Sequence, residues 1–170
     1  PQAEIVVHET WAYSLDNAGT FKNGFTAADM YQGLVKSYYG IASELGIKRV
    51  IPVGDAFQLV QEAKPFVKDE AFNPATATKE TPPVQTNSMN VGWFWNGKEK
   101  KYAYDHGHAN ARGEYLAALV WYETLFHGDA GKTSFKPEGV SDEDAKFLRS
   151  IAHEAVSGGI KPKAFPQAGK

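Results

Sequence analysis

The chain has 170 residues, a length that suits one domain with a sizeable core. Its formal net charge is −2, from 18 Lys and Arg against 20 Asp and Glu, which argues against a nucleic-acid binder because phosphate-tracking surfaces are strongly basic. No apolar run approaches the roughly 20 residues that span a bilayer. The sequence has no cysteine, which excludes disulfide scaffolds, zinc ribbons and thiol nucleophiles. It assigns no compartment, and a secreted or periplasmic location is an open expectation.

The first part of the chain alternates between strand patterns and helix patterns. Two short runs of β-branched residues predict buried strands over residues 4–9 and 49–53. Apolar spacing after the capping residue Thr26 predicts a helix over Ala27–Leu45, and a shorter helix is predicted over residues 56–62. Such alternation predicts an α/β fold in which crossover helices join parallel strands.

The second part of the chain is predicted to hold a long loop, a hairpin and two helices. Residues 65–90 lack periodicity, and a loop of that length is often functional. Residues 91–104 read as a hairpin that turns at Asn-Gly. Helices are predicted over Asn110–Phe126 and, after a serine cap, over Asp142–Ser157. We expect residues 158–170 to form a flexible tail.

Polar and aromatic residues follow the two predicted parallel strands. Ligands of open parallel sheets bind beyond the carboxyl ends of the strands. This rule places six residues on the functional edge: His8, Glu9, Thr10, Trp11, Gly54 and Asp55.

The most informative segment is Asp105-His106-Gly107-His108, on a predicted loop before a helix. An Asp three residues ahead of a His lets both side chains turn to the same side of a tight loop. The carboxylate can then accept from one imidazole nitrogen and leave the other free as a general base. The same spacing also fits an aspartate that caps a turn beside an exposed histidine.

The residues around this pair carry a family resemblance. Asp105-x-x-His108, followed by Asn110, Gly113 and a helix, resembles the last conserved block of the SGNH (GDSL-like) hydrolases. Three further segments are similar to the DUF4886-like branch of that family: His8–Tyr13, Ile51–Ala56 and Trp121–Phe126. The resemblance implies a flavodoxin-like three-layer α/β/α fold and hydrolysis of O-acyl esters, including those of carbohydrates. It gives Asp105 and His108 two places in a Ser-His-Asp triad and implies no metal or organic cofactor.

One part of the family pattern is missing. The nucleophilic serine and the oxyanion-hole residues belong to earlier blocks, and no Gly-x-Ser-x-Gly, Gly-Asp-Ser or Gly-Asn-Ser occurs here. The chain also opens on Pro1 rather than Met. We therefore expect residues 1–157 to be the C-terminal half of the fold, inactive alone. The predicted strand 4–9 should have an exposed edge, or pair with a second copy or a separate N-terminal chain. Ser14 and Ser88 are the substitute nucleophiles to consider, and both are expected to be ordinary loop serines.

Two other interpretations of these residues remain open. His106 and His108, with His8 and Glu9 on the same predicted edge, are possible ligands for zinc or iron in a metal-dependent hydrolase. Aromatic side chains near the edge suit a sugar substrate, either in an ester hydrolase or in a non-catalytic glycan-binding homologue. For substrate contact the sequence favours Thr10, Trp11 and Tyr13. Further aromatic candidates are Trp93, Trp95 and Tyr104, with one of the two tryptophans expected in the core.

Overall fold

The computed structural model describes residues 3–16 and 19–158, which have a mixed α/β architecture. The main helices are α1 (Ala27–Glu44), α2 (Val53–Ala63), α3 (Ala111–Phe126) and α4 (Asp142–Ser157). The strands are β1 (Val7–His8), β2 (Val50–Ile51), β3 (Asn90–Asn96) and β4 (Lys101–Ala109). Gly158 closes α4, and the rest of the predicted tail lies outside the described residues. No helix in the described ranges is long and apolar enough to cross a bilayer.

Strands β1 and β2 form a parallel pair, shorter than the strands predicted over residues 4–9 and 49–53. The N–H groups of Val7 and Glu9 donate to β2 and its flank, at 3.0 and 3.1 Å. Because hydrogen-bonding direction alternates along a strand, the backbone groups of His8 point away from β2. Within the described residues β1 pairs with β2 alone, so its other edge has no partner strand.

Helix α1 matches its prediction because its start is encoded locally. The Thr26 side chain accepts from the Asp29 N–H at 3.1 Å, and the Asp29 carboxylate accepts from the Thr26 N–H at 2.9 Å. This reciprocal capping box satisfies amides that the first turn leaves free.

Helix α2 begins at Val53, three residues before the predicted start. The prediction placed Val53 in a strand and the next two residues in a turn, and this was wrong. Pro52 directly precedes the helix, where a missing N–H and a fixed φ cost little. The Glu9 carboxylate also accepts the Asp55 N–H at 3.0 Å, which satisfies one free amide of the first turn.

The hairpin is longer than predicted and includes the Asp105–His108 segment. Gly92 pairs with Asp105 and Asn90 pairs with Ala109, so one residue of β3 opposes three residues of β4. Residues 106–108 therefore form a bulge at the end of β4, not the predicted loop. The chain passes directly from this strand into α3, where Asn110 is the N-cap and accepts from two backbone N–H groups.

The core lies where α2, α3 and α4 pack against one another and against β2. Its fully buried side chains include Ile51, Val60, Leu116, Val120 and Leu148. Helix α4 and its Ser141 cap match the prediction. Residues 65–89 are irregular, as predicted, and lead into β3.

Candidate active site

The bulge of β4 brings Asp105 and His108 together. The Asp105 Oδ2 and His108 Nδ1 atoms are 2.7 Å apart, and Oδ1 accepts the backbone N–H groups of Gly107 and His108 at 3.0 and 2.9 Å. The hydrogen bond from the His108 backbone holds the pKa of Asp105 below its ordinary value, and the contact with the His108 ring acts in the same direction. Asp105 is therefore an ionised acceptor that fixes the imidazole.

The His108 ring is held on one side and open on the other. Its side chain is 87% exposed, and its only hydrogen bond within the described residues joins Nδ1 to Asp105. With Nδ1–H pointing at the carboxylate, Nε2 carries the lone pair and can accept a proton. The predicted contact between Asp105 and His108 is present, and His106 does not share it.

Three donors outside β4 hold the carbonyl groups of the bulge. The Trp11 indole donates to the Gly107 carbonyl at 2.9 Å. The Ser14 N–H and the Asn90 amide donate to the His106 carbonyl at 2.8 and 3.3 Å. The segment that follows β1 therefore lies directly against the bulge that carries His108.

The residues predicted to contact substrate make contacts within the protein. The Trp11 ring stacks on Phe57, with ring centres 4.5 Å apart. The Tyr13 ring meets His106 edge-on at 4.4 Å. The Thr10 hydroxyl lies 2.9 Å from the Tyr38 hydroxyl. All three predicted residues are half-buried, and their contact with a substrate stays a prediction.

Neither candidate serine reaches His108. Ser14 is buried, where a solvated loop residue was expected, and its N–H is paired with the bulge. Ser88 is also buried and its hydroxyl donates to the Asn90 carbonyl at 2.7 Å. In the part of the chain that the structure describes, no serine hydrogen-bonds to the His108 ring.

The histidines do not converge as metal ligands would. The His106 ring packs on Tyr13, whereas the His108 ring faces Asp105. His8 Nδ1 accepts from the Trp121 indole at 3.0 Å, on the face of β1 opposite Glu9. Residues 3–16 and 19–158 hold no group of three or more His, Cys, Asp or Glu side chains that could bind a metal ion.

The two hairpin tryptophans lie on the same face of β3, because residues two apart in a strand share a face. Both are half-buried, so the expectation that one would lie in the core is wrong. The ring centres of Trp93 and Tyr104 are 4.8 Å apart, and those of Trp95 and Tyr102 are 5.3 Å apart. Phe72 from the long loop packs on Trp93. The aromatic cluster is thus partly covered by the chain itself.

Sequence reasoning missed a buried acid pair beside the site. Glu9 and Asp55 are both fully buried, although their positions after the two parallel strands suggested an accessible edge. The Asp55 carboxylate accepts the hydroxyls of Tyr31 and Tyr39 at 2.7 and 2.6 Å. Burial, and to a lesser extent the charge of the neighbouring Asp55, raise the pKa of Glu9 to about 8. Burial also raises the pKa of Asp55.

One solved structure resembles this fold across most of the length of the present chain. It is a DUF4886 family protein from Bacteroides uniformis, 25% identical, with a TM-score of 0.64 over 91% of this chain and 48% of that chain. The chain therefore spans about half the length of this solved relative. The likeness supports the relationship to the DUF4886-like branch that the sequence segments indicated. No protein-family model and no curated protein matches the chain.

Proposed function

We propose that this chain supplies the acid and base of an SGNH-type ester hydrolase. His108 is the general base and Asp105 is the carboxylate that orients it. The observation that carries the proposal is the 2.7 Å contact between Asp105 Oδ2 and His108 Nδ1, with the rest of the imidazole exposed. The likeness to a DUF4886 family protein supports the same branch of proteins.

The proposed reaction is acyl transfer through His108 Nε2. A serine hydroxyl attacks the ester carbonyl while Nε2 takes its proton, and the imidazolium then protonates the leaving alcohol. Water repeats the sequence on the acyl-enzyme and releases the acid. Asp105 stays ionised throughout, holds the Nδ1–H tautomer and stabilises the imidazolium. The lowered pKa of Asp105 suits this role, because the carboxylate remains charged at neutral pH.

The nucleophile and the oxyanion donors are proposed to come from outside residues 1–157. In the proposed three-layer α/β/α fold, the free edge of β1 receives a parallel strand from an N-terminal half or from another copy. Apolar side chains are exposed in the elements next to this pair of strands: Ile5, just before β1, is 71% exposed, and Ile41 in α1 and Leu45 at its C-terminal end are also exposed. Parallel sheets are normally covered on both faces and flanked on both edges, which favours an added strand here.

The proposed substrate is an O-acyl ester, with acetylated carbohydrates as the first class to test. The exposed Nε2 side of His108 leaves room for a large alcohol such as a sugar. The proposed acyl-transfer reaction requires no metal or organic cofactor.

The test is hydrolysis of p-nitrophenyl acetate and release of acetate from an acetylated oligosaccharide, using the protein as its gene encodes it. His108→Ala should lower kcat/KM by at least about 10³-fold, and Asp105→Ala by about 10²-fold or more. His127→Asn is the matched control, because His127 is also exposed but lies at the end of α3. Full activity in His108→Ala would contradict the proposal. Binding of the oligosaccharide without release of acetate would favour the glycan-binding alternative.

A further inference from the structure

We infer that Trp11 is a positioning residue for His108, because its indole N–H fixes the backbone of the bulge that carries Asp105 and His108. The inference rests on the proposed function. It assigns Trp11 a role different from the substrate contact that the sequence favours.

The bulge needs partners that its own hairpin cannot provide. Residues 106–108 face a single residue of β3, so the regular ladder of hydrogen bonds is interrupted there. Buried or half-buried carbonyl groups without a partner cost free energy, and here they are satisfied by other segments. The Gly107 carbonyl, one residue before His108, accepts from the Trp11 indole at 2.9 Å.

The donor on Trp11 is held rigidly. Its ring stacks on Phe57 with an interplanar angle of 16°, and Phe57 is a buried residue of α2. Two positions earlier, the buried Glu9 carboxylate binds the first turn of the same helix. The chain from Glu9 to Trp11 is therefore fixed to α2 at both ends, and the indole N–H points from this support to the bulge.

Rotation of the peptide at Gly107 would disturb the acid–base pair directly. The Asp105 Oδ1 atom accepts the N–H groups of both Gly107 and His108, and these two bonds hold the carboxylate beside the imidazole. A small displacement of catalytic groups is costly, since about 1 Å can lower a rate by about 10²-fold. The Trp11–Gly107 hydrogen bond thus acts on His108 through the backbone, without touching the reacting atoms.

The first test needs no enzymatic activity and uses the chain itself. Trp11→Phe keeps an aromatic ring against Phe57 and removes the N–H. Trp121→Phe makes the same chemical change at an indole that donates to His8 instead of the bulge. Nitrogen-15 NMR of the His108 imidazole should show the Nδ1–H tautomer in the wild type and in Trp121→Phe. In Trp11→Phe we expect a mixture of tautomers and faster exchange of the His108 amide. Unchanged His108 signals in Trp11→Phe would overturn the inference.

A second replacement protects the test against a packing defect. Incorporation of β-(3-benzothienyl)alanine at position 11 keeps the bicyclic ring and removes only the hydrogen-bond donor. It should reproduce the His108 changes of Trp11→Phe. If this residue leaves the His108 signals as in the wild type, the lost N–H is not the cause and the inference fails.

Kinetics with the protein as its gene encodes it separate positioning from substrate contact. A positioning role predicts that Trp11→Phe lowers kcat by about tenfold or more, while KM changes by less than about twofold. A higher KM with unchanged kcat would make Trp11 a substrate contact and overturn the inference. If the wild type has no esterase activity, the proposed function fails, and the NMR comparison alone decides whether Trp11 holds the bulge.

Discussion

The Glu9 carboxylate accepts the backbone N–H of Asp55 at 3.0 Å, so one buried acid caps the helix that carries the other. Burial of two carboxyl groups side by side is costly unless one of them keeps its proton. The raised pKa of Glu9, about 8, makes it the group that keeps the proton at neutral pH. The arrangement joins the end of β1 to the start of α2. From that junction the chain continues to Trp11, whose indole donates to the bulge.

This acid pair predicts an unusual pH dependence of stability. Unfolded Glu9 loses its proton near pH 4.5, whereas folded Glu9 keeps it until about pH 8. Between these values the folded state binds more protons than the unfolded state, so the free energy of unfolding falls as pH rises. The slope from this group is up to about 1.4 kcal/mol per pH unit. Glu9→Gln, which keeps an oxygen acceptor for the Asp55 N–H, should flatten this dependence in urea unfolding between pH 4.5 and 8.

The comparison with Glu9→Gln separates the acid pair of Glu9 and Asp55 from titrating groups outside that pair. Burial lowers the pKa of His8, which makes stability rise with pH, but His8 is present in both proteins and its effect cancels. Glu123→Gln is the matched control, because Glu123 is another buried glutamate that accepts a backbone N–H, from Ala130 at 2.7 Å. A wild-type slope that persists in Glu9→Gln would show that Glu9 does not keep its proton in the folded state.

Two helical glycines should respond oppositely to alanine. A Cβ atom at Gly113 in α3 would lie 2.3 Å from the Met89 carbonyl oxygen, whereas one at Gly33 in α1 would meet nothing within 4 Å. Gly33→Ala should stabilise the fold by about 0.5–1 kcal/mol through helix propensity. Gly113→Ala should destabilise it by about 1–3 kcal/mol, because backbone must move. Thermal unfolding measures both, and equal shifts of the two midpoints would show that α3 does not approach residue 89 so closely.

The link between α3 and α4 should depend on a guanidinium group. Arg112 donates to both Asp144 carboxylate oxygens, with its Nη2 atom 2.8 Å from Oδ1, and its Nη1 donates to the Ser88 carbonyl at 3.1 Å. A lysine cannot reproduce this fork, so Arg112→Lys should cost about 1–2 kcal/mol of stability. Arg49→Lys is the control: its partner Glu4 is more exposed, and the change should stay within about 0.5 kcal/mol. Equal losses of stability in the two variants would show that the two-point contact between Arg112 and Asp144 adds no stability of its own.

Local patterns in the sequence predict the helices, and long-range contacts explain what they miss. The caps Thr26 and Ser141 lie beside the helices they start, so α1 and α4 were predicted to within one residue. The early start of α2 depends on a contact between residues 46 positions apart. The hydrogen bond from Trp11 to Gly107 joins residues 96 positions apart. The Asp105–His108 contact could be predicted because the two residues are only three positions apart, but the hydrogen bonds that hold the bulge from other segments could not.

The chain alone is predicted to lack esterase turnover. His108 is oriented and exposed, but Ser14 and Ser88 are buried and make no hydrogen bond to its ring. Acyl transfer also needs oxyanion donors, each worth about 2.7–4 kcal/mol of barrier, and the resemblance gives this chain none. Hydrolysis of p-nitrophenyl acetate by residues 1–170 should therefore not exceed that of His108→Ala.

An exposed imidazole can attack an activated ester slowly by itself, so the comparison needs a second histidine variant. His127→Asn removes another exposed imidazole. Its rate of p-nitrophenyl acetate hydrolysis should be as close to the wild-type rate as that of His108→Ala. Mass spectrometry of the chain after mixing with the ester should find no acylated serine. Acylation of Ser14 that depends on His108 would contradict the prediction. It would place the nucleophile in the segment after β1 and require Ser14 to leave its buried position against the bulge.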